Sequence, residues 1–150
     1  MTQDAEAGWQ AWCDGSALPN PGKIGIGVVL VAPDGTRSEN SSLTGGHGCN
    51  NEAELHALCA ALELAATAGA RRLRLHSDSD VALRYVREPA ATRIERLSLL
   101  GRRAGELLLP FAEVALVWIP RHRNVEADRL SRQALGLPEV VARQAGHRRR

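Results

Sequence analysis

Cysteine is scarce in this chain, and its three copies, Cys13, Cys49 and Cys59, are odd in number and form no CxxC pair. That excludes a disulfide framework and a thiolate zinc site, and it fits reduced thiols in a cytoplasmic protein. Long apolar runs are absent too: no stretch approaches the roughly 20 residues of a membrane span. The first ten residues carry Asp4 and Glu6 where a signal peptide needs an apolar segment. Lysine is almost missing, since 18 of the 19 basic residues are arginine. No internal repeat is present.

What is there suits one domain. The chain has 150 residues and is 44% hydrophobic, enough for a single core. The net charge of +2 hides an asymmetry. Residues 1–70 hold Lys23 and Arg37 against eight acids, whereas residues 71–150 hold 17 arginines against nine. A phosphate-binding surface and an arginine-rich compositional bias both produce this pattern. Residues 1–137 are expected to form the domain, and residues 138–150, ending in Arg148-Arg149-Arg150, a basic disordered tail. A monomer without a protein partner is the default reading.

Hydropathy and turn residues order the elements. Trp9 to Cys13 reads as a strand ending at Asp14-Gly15-Ser16, and Leu18-Pro19-Asn20-Pro21-Gly22 as a turn. Ile24 to Val31 is β-branched, and Pro33-Asp34-Gly35-Thr36 turns it into a polar third strand over Arg37 to Thr44. Gly45-Gly46-His47-Gly48 is expected to break the chain. Leu55, Leu58, Leu62 and Ala65 then recur at helical spacing up to Gly69. A fourth strand through Leu73 and Leu75 ends at Ser77-Asp78, and Val81 to Val86 starts a short helix closed by Pro89. Ile94 to Leu108 reads as a helix weakened by Gly101 and Gly105. Val114 to Ile119 is a fifth strand, and Val125 to Leu135 a last helix. Three strands followed by alternating helices and strands indicate a mixed sheet with helices packed on it. Trp12 and Trp118 lie inside strands, where core packing explains them better than base stacking.

Four acids stand out by position. Asp14 and Asp78 close strands, Asp128 lies just after the fifth strand, and Glu54 falls on the sheet-facing stripe of its helix. Each also has a plain structural explanation. Asp14 fits an Asp-Gly turn, Glu54 a capping role with Asn51, Asp78 a helix cap, and Asp128 an i−4 partner of Arg132. Four acids converging on one sheet edge would repel one another unless cations compensate. A site with only oxygen ligands favours Mg²⁺ or Mn²⁺ over zinc. Two such ions can activate a water and stabilise a departing oxygen in phosphodiester cleavage.

Four segments carry a resemblance. They are Asp14-Gly15-Ser16-Ala17-Leu18-Pro19-Asn20-Pro21-Gly22, Asn50-Asn51-Glu52-Ala53-Glu54-Leu55, Ser77-Asp78-Ser79 and Pro120-Arg121-His122-Arg123-Asn124-Val125-Glu126-Ala127-Asp128. In this order and spacing they resemble the motifs of type 1 ribonuclease H, from about Trp9 to Leu135. The resemblance implies the α/β ribonuclease H-like fold: a mixed five-stranded sheet, three antiparallel strands then parallel ones, with helices on both faces. It implies an endonuclease that cuts the RNA strand of RNA–DNA hybrids and leaves 5′-phosphates. Asp14, Glu54, Asp78 and Asp128 map onto the ligands of two Mg²⁺ or Mn²⁺ ions, and His122 onto a histidine that assists water attack or product departure.

The same resemblance places Gly15, Ser16, Asn20, Asn50 and Asn51 against the hybrid. Turn formation by Asn20 and helix capping by Asn50 or Asn51 are the competing explanations. Two positions depart from the family. Cys49 replaces a threonine that helps hold a DNA phosphate, and Asp80 replaces a glutamine that reads the RNA minor groove. The basic protrusion of some members is absent, and Arg84, Arg87, Arg93 and Arg96 form either phosphate contacts or a solvated face. Two other readings remain open: a hybrid-binding module that does not cut, and a related nuclease with another nucleic-acid substrate.

Overall fold

A computed structural model describes residues 8–138. The expected tail lies, from residue 139 on, outside the described residues.

Five strands form one sheet: β1 (Trp9–Leu18), β2 (Gly22–Val31), β3 (Arg37–Gly48), β4 (Arg72–Ser77) and β5 (Glu113–Trp118). Their spatial order is β3-β2-β1-β4-β5. β1, β2 and β3 pair antiparallel, while β4 and β5 run parallel to β1. The helices are α1 (Asn50–Thr67), α2 (Asp80–Arg87), α3 (Glu95–Leu107) and α4 (Val125–Ala134). Among the described residues no helix is long and apolar enough to cross a membrane.

Strand alternation decides what each sheet face meets, because residues directly opposite in an antiparallel pair share a face. Gly15 sits opposite Ile26, and that face joins Ala11, Cys13, Val28 and Leu30 to Leu55, Leu58 and Leu62 of α1 in the core. Asp14 sits opposite Gly27 on the other face, where α4 packs with Ala127 and Leu130. α2 and α3 lie on the α1 side. Gly101 is the close-approach point of α2 and α3: a Cβ there would run into the Tyr85 carbonyl. A glycine that weakens the helical pattern in the sequence is therefore what lets two helices touch.

Two boundaries and the burial of Trp118 differ from the sequence reading. β1 continues past Asp14 to Leu18, since β2 remains its partner through Lys23 after β4 has ended. β3 runs through the Gly45-Gly46-His47-Gly48 segment, which pairs again with Gly22 and Lys23 after a register shift between Lys23 and Gly25. A bulge absorbs the glycines without ending the strand. Trp118 is 53% exposed at the end of the edge strand β5. Trp12 is half-buried on the α4 side and stacks on His76 with ring centroids 4.7 Å apart. Neither tryptophan belongs to the main core.

The start of α1 is capped by Glu52, whose Oε1 accepts the Cys49 N–H (2.9 Å) and an Arg96 Nε–H (2.9 Å). Burial alone would raise the Glu52 pKa, but these two donors hold it below the ordinary value. Glu52→Ala is expected to cost about 1 kcal/mol, the usual value of a lost cap, read as a lower urea midpoint at unchanged m.

Candidate metal and nucleic-acid site

β4 stops pairing with β1 at Cys13–Ser77, so the far half of β1 has a free edge beside it. Backbone donors there need partners. Side chains from the start of α1 supply them: Gly15 N–H donates to Glu54 Oε1 (3.1 Å) and Ala17 N–H to Asn50 Oδ1 (2.9 Å). Asn20 Oδ1 in turn accepts the Asn50 N–H (3.0 Å). The end of the parallel pairing thus draws Glu54 across to Asp14.

Asp14 is buried, 5% exposed, on the α4 face of β1. Asp78 follows β4 directly and is held from two sides. Its Oδ2 accepts from Asn124 Nδ2 (3.0 Å), and its carbonyl accepts the Trp118 indole N–H (3.2 Å). Ligand oxygens of Asp14, Glu54 and Asp78 all lie within 4.8 Å of one another. Asp128, on the first turn of α4, stands outside this trio but acts on Asp14, whose proton affinity it raises. Ser131, one turn later, donates to Asp14 Oδ2 (3.3 Å).

The plain explanations of the four acids now have other occupants. Asp14 lies within a strand and not in a turn. Glu52 serves the cap of α1, and Ser79 Oγ caps α2 by accepting the Ala82 N–H (3.0 Å), leaving Glu54 and Asp78 unused for capping. Among the described residues no Asp128–Arg132 ion pair forms, and Arg132 Nε is buried without a partner.

Burial, then Asp78 and Asp128, pushes the Asp14 carboxyl up to about 8. Burial, then Asp14 and Asp78, raises Glu54 as well, against the opposing Gly15 N–H. Cys13 beneath them is also raised, by burial first and then by these acids. Such a cluster of oxygens with uncompensated charge fits a hard divalent cation. It also has a sign that can be measured. The folded state retains protons that the unfolded chain releases above about pH 4, so folding without metal weakens as pH rises toward 8. We expect the melting temperature in chelator to fall from about pH 5 to about pH 8. Added Mg²⁺ should restore it, with an increment that grows with pH; a Mg²⁺ effect independent of pH would contradict this.

The remaining expected residues are placed as follows. Gly15 is buried under α1, and Ser16 is half-buried with its hydroxyl 3.5 Å from Ser131 Oγ. Asn51 is exposed. His122 is exposed on a short 3₁₀ turn (Arg121–Arg123) ahead of α4. It borders a cavity of about 380 Å³ beside Trp12, Val29 and Val31 that none of the four acids lines. Cys49 precedes α1, and Asp80 is exposed at the start of α2. Arg87 donates to the Leu116 carbonyl, Arg96 pairs with Glu52 and Arg84 lies near Glu88, while Arg93 is exposed. Sequence reasoning missed Asn124 and Ser131 as site residues. Asn124 reads as an ordinary residue before a helix, and only its place four residues ahead of Asp128 hints otherwise.

A mixed sheet in the order 3-2-1-4-5, helices on both faces and carboxylates gathered where β1 and β4 part define the ribonuclease H-like class. A family model described as "Reverse transcriptase-like" matches residues 12–134. The chain is 37% identical over 125 residues to a "Ribonuclease HI" of Halobacterium salinarum, covering 83% of this chain and 63% of that protein. It thus spans just under two thirds of that relative's length. The crystal structure of RNase H1 from the same archaeon superposes with a TM-score of 0.80 at 36% identity, covering 85% of this chain and 97% of that one. An LC11-RNase H1 solved in complex with RNA/DNA hybrid gives 0.67 at 27% identity, over 85% and 96%. The chain belongs to the type 1 ribonuclease H family.

Proposed function

We propose that this protein is an endoribonuclease that hydrolyses the RNA strand of RNA–DNA hybrids, with Asp14, Glu54, Asp78 and Asp128 as ligands of two divalent ions, Mg²⁺ or Mn²⁺. The observation that carries the proposal is the trio of carboxylates with oxygens within 4.8 Å of one another. The family, and the related enzyme solved with an RNA/DNA hybrid, support the substrate class. Bound there, the ions would lower the pKa of a water and neutralise charge on the departing oxygen. Hydrolysis adds that water to phosphorus and breaks the bond to the 3′ oxygen, leaving a 5′-phosphate and a 3′-hydroxyl.

The chain's own residues have distinct tasks. Glu54, fixed by the Gly15 N–H, and Asp78, fixed by Asn124, present charge at a set spacing. His122, exposed and unburdened by the core, serves as the group that moves a proton for the attacking water or the departing product. Gly15, Ser16, Asn20, Asn50 and Asn51 are assigned to the hybrid: Gly15 and Ser16 on β1, Asn20 in the turn that follows it, and Asn50 and Asn51 at the start of α1. Asn50 Oδ1 is engaged by Ala17, so its NH₂ is the group left to donate to a 2′-hydroxyl. The catalytic domain is assigned to residues 1–137, acting as a cytoplasmic monomer.

The test is competition among a hybrid, double-stranded RNA and double-stranded DNA with either ion. Preferential cutting of the hybrid's RNA strand with 5′-phosphate ends is expected. Binding without turnover, or equal cutting of all three, would overturn the reading.

A further inference from the structure

We propose that Asn124 is a positioning residue that sets the spacing of the carboxylates, an inference that rests on the metal-site reading above. Asn124 is 1% exposed and stands immediately before α4. Its side chain does not cap that helix. Instead Nδ2 donates to the Cys13 carbonyl (2.9 Å) and to Asp78 Oδ2 (3.0 Å), while its backbone carbonyl accepts the Asp128 N–H (3.1 Å). Cys13 precedes Asp14, so one residue ties together the backbone beside Asp14, the carboxylate of Asp78 and the first turn carrying Asp128.

The chemistry selects an amide. Both partners of Nδ2 are acceptors, which fixes which end of the amide faces them. Two donors on one nitrogen suit two acceptors, and a neutral donor orients Asp78 without cancelling the charge a cation needs. A lysine or arginine at this position would compete with the cation for Asp78. Asn124 Oδ1 is buried without a partner, which marks a side chain placed for its donors. The contact also closes a mechanical gap: β1 and β4 have stopped pairing at Cys13–Ser77, and Asn124 bridges the two strands where they separate.

Asn124→Ala and Asn124→Ser, made in the full chain, test this. Mn²⁺ affinity is read by calorimetry, Mg²⁺ half-saturation by hybrid hydrolysis, and folding by thermal melting in chelator. Both variants are expected to bind Mn²⁺ about 10- to 100-fold more weakly and to need correspondingly more Mg²⁺. Serine, a good residue before a helix, preserves folding if alanine does not. In an Asp78→Asn background the Asn124 substitution should add little further loss of Mn²⁺ affinity, because its partner's charge is already gone. Melting that falls while Mn²⁺ affinity and Mg²⁺ half-saturation stay within about twofold of the parent would overturn the proposal, as would additive losses with Asp78→Asn. Should the parent bind Mn²⁺ and cut no hybrid, the proposed function fails, while the calorimetry still decides the role of Asn124.

Discussion

Asp14→Asn is expected to reduce hydrolysis of a hybrid by at least about 1,000-fold, equivalent to roughly 4 kcal/mol of transition-state stabilisation. The substitution keeps shape and removes charge. Asp14 is the acid at the centre of the group, since it contacts Ser131 and both Asp78 and Asp128 raise its pKa. The same change should stabilise the metal-free fold at about pH 8, where the buried carboxylate otherwise loses its proton beside other acids. A rise of a few degrees in melting temperature, at roughly 3 °C per kcal/mol, should accompany the loss of the Mg²⁺-induced increment. A variant that is inactive because it is unfolded would show the opposite shift. Together the two readouts separate an electrostatic site from a structural one.

Gly15→Ala is the second large effect. A methyl at this position would overlap the Ala53 carbonyl and lie 2.9 Å from the Glu54 nitrogen. These are backbone atoms of the first helical turn, so no side-chain rotation relieves the clash and α1 must move off β1. Overpacking of this kind costs about 1–3 kcal/mol or more. The shift also pulls Glu54 away from the Gly15 N–H and from Asp14, and a displacement of about 1 Å at a catalytic group costs on the order of 100-fold in rate. Urea unfolding and single-turnover hybrid cleavage measure the two parts. Loss of stability with an unaltered rate would show that Glu54 is not held by this contact.

Much of this was legible in the sequence because periodicity and acid placement agree. The leucines at helical spacing predict α1, and the turn at Pro33-Asp34-Gly35-Thr36 predicts the hairpin joining β2 and β3. Glu54 on the inward stripe points to the group that the structure brings beside Asp14 and Asp78. The failures have local causes. Gly45 to Gly48 looks like a break because glycine disfavours strands, yet pairing with Gly22 and Lys23 overrides propensity. Trp118 looks like core because a strand's apolar residues normally are, yet it ends an edge strand, and its indole N–H reaches the Asp78 carbonyl. Asp14 looks like a strand end because Asp-Gly is a turn pair, yet β2 extends β1 for four residues beyond it.

The contacts holding the acids were the least legible part. Asn124 and Ser131 meet Asp78 and Asp14 across sequence separations of 46 and 117 residues, and no local pattern encodes such pairings. The departure at Cys49 carries a physical consequence visible only in three dimensions. Cys49 leads into α1, where its N–H is taken by Glu52, and Arg96 reaches that same carboxylate from α3. A cation is thereby brought beside the position where the family's threonine is replaced.

The most direct measurement is cleavage of a hybrid labelled on its RNA strand, before and after chelation and again after adding back Mg²⁺ or Mn²⁺. The four-carboxylate account predicts cutting of the RNA strand that stops in chelator and returns with metal. Cutting that persists in chelator, or an enzyme inert with both ions, would contradict it.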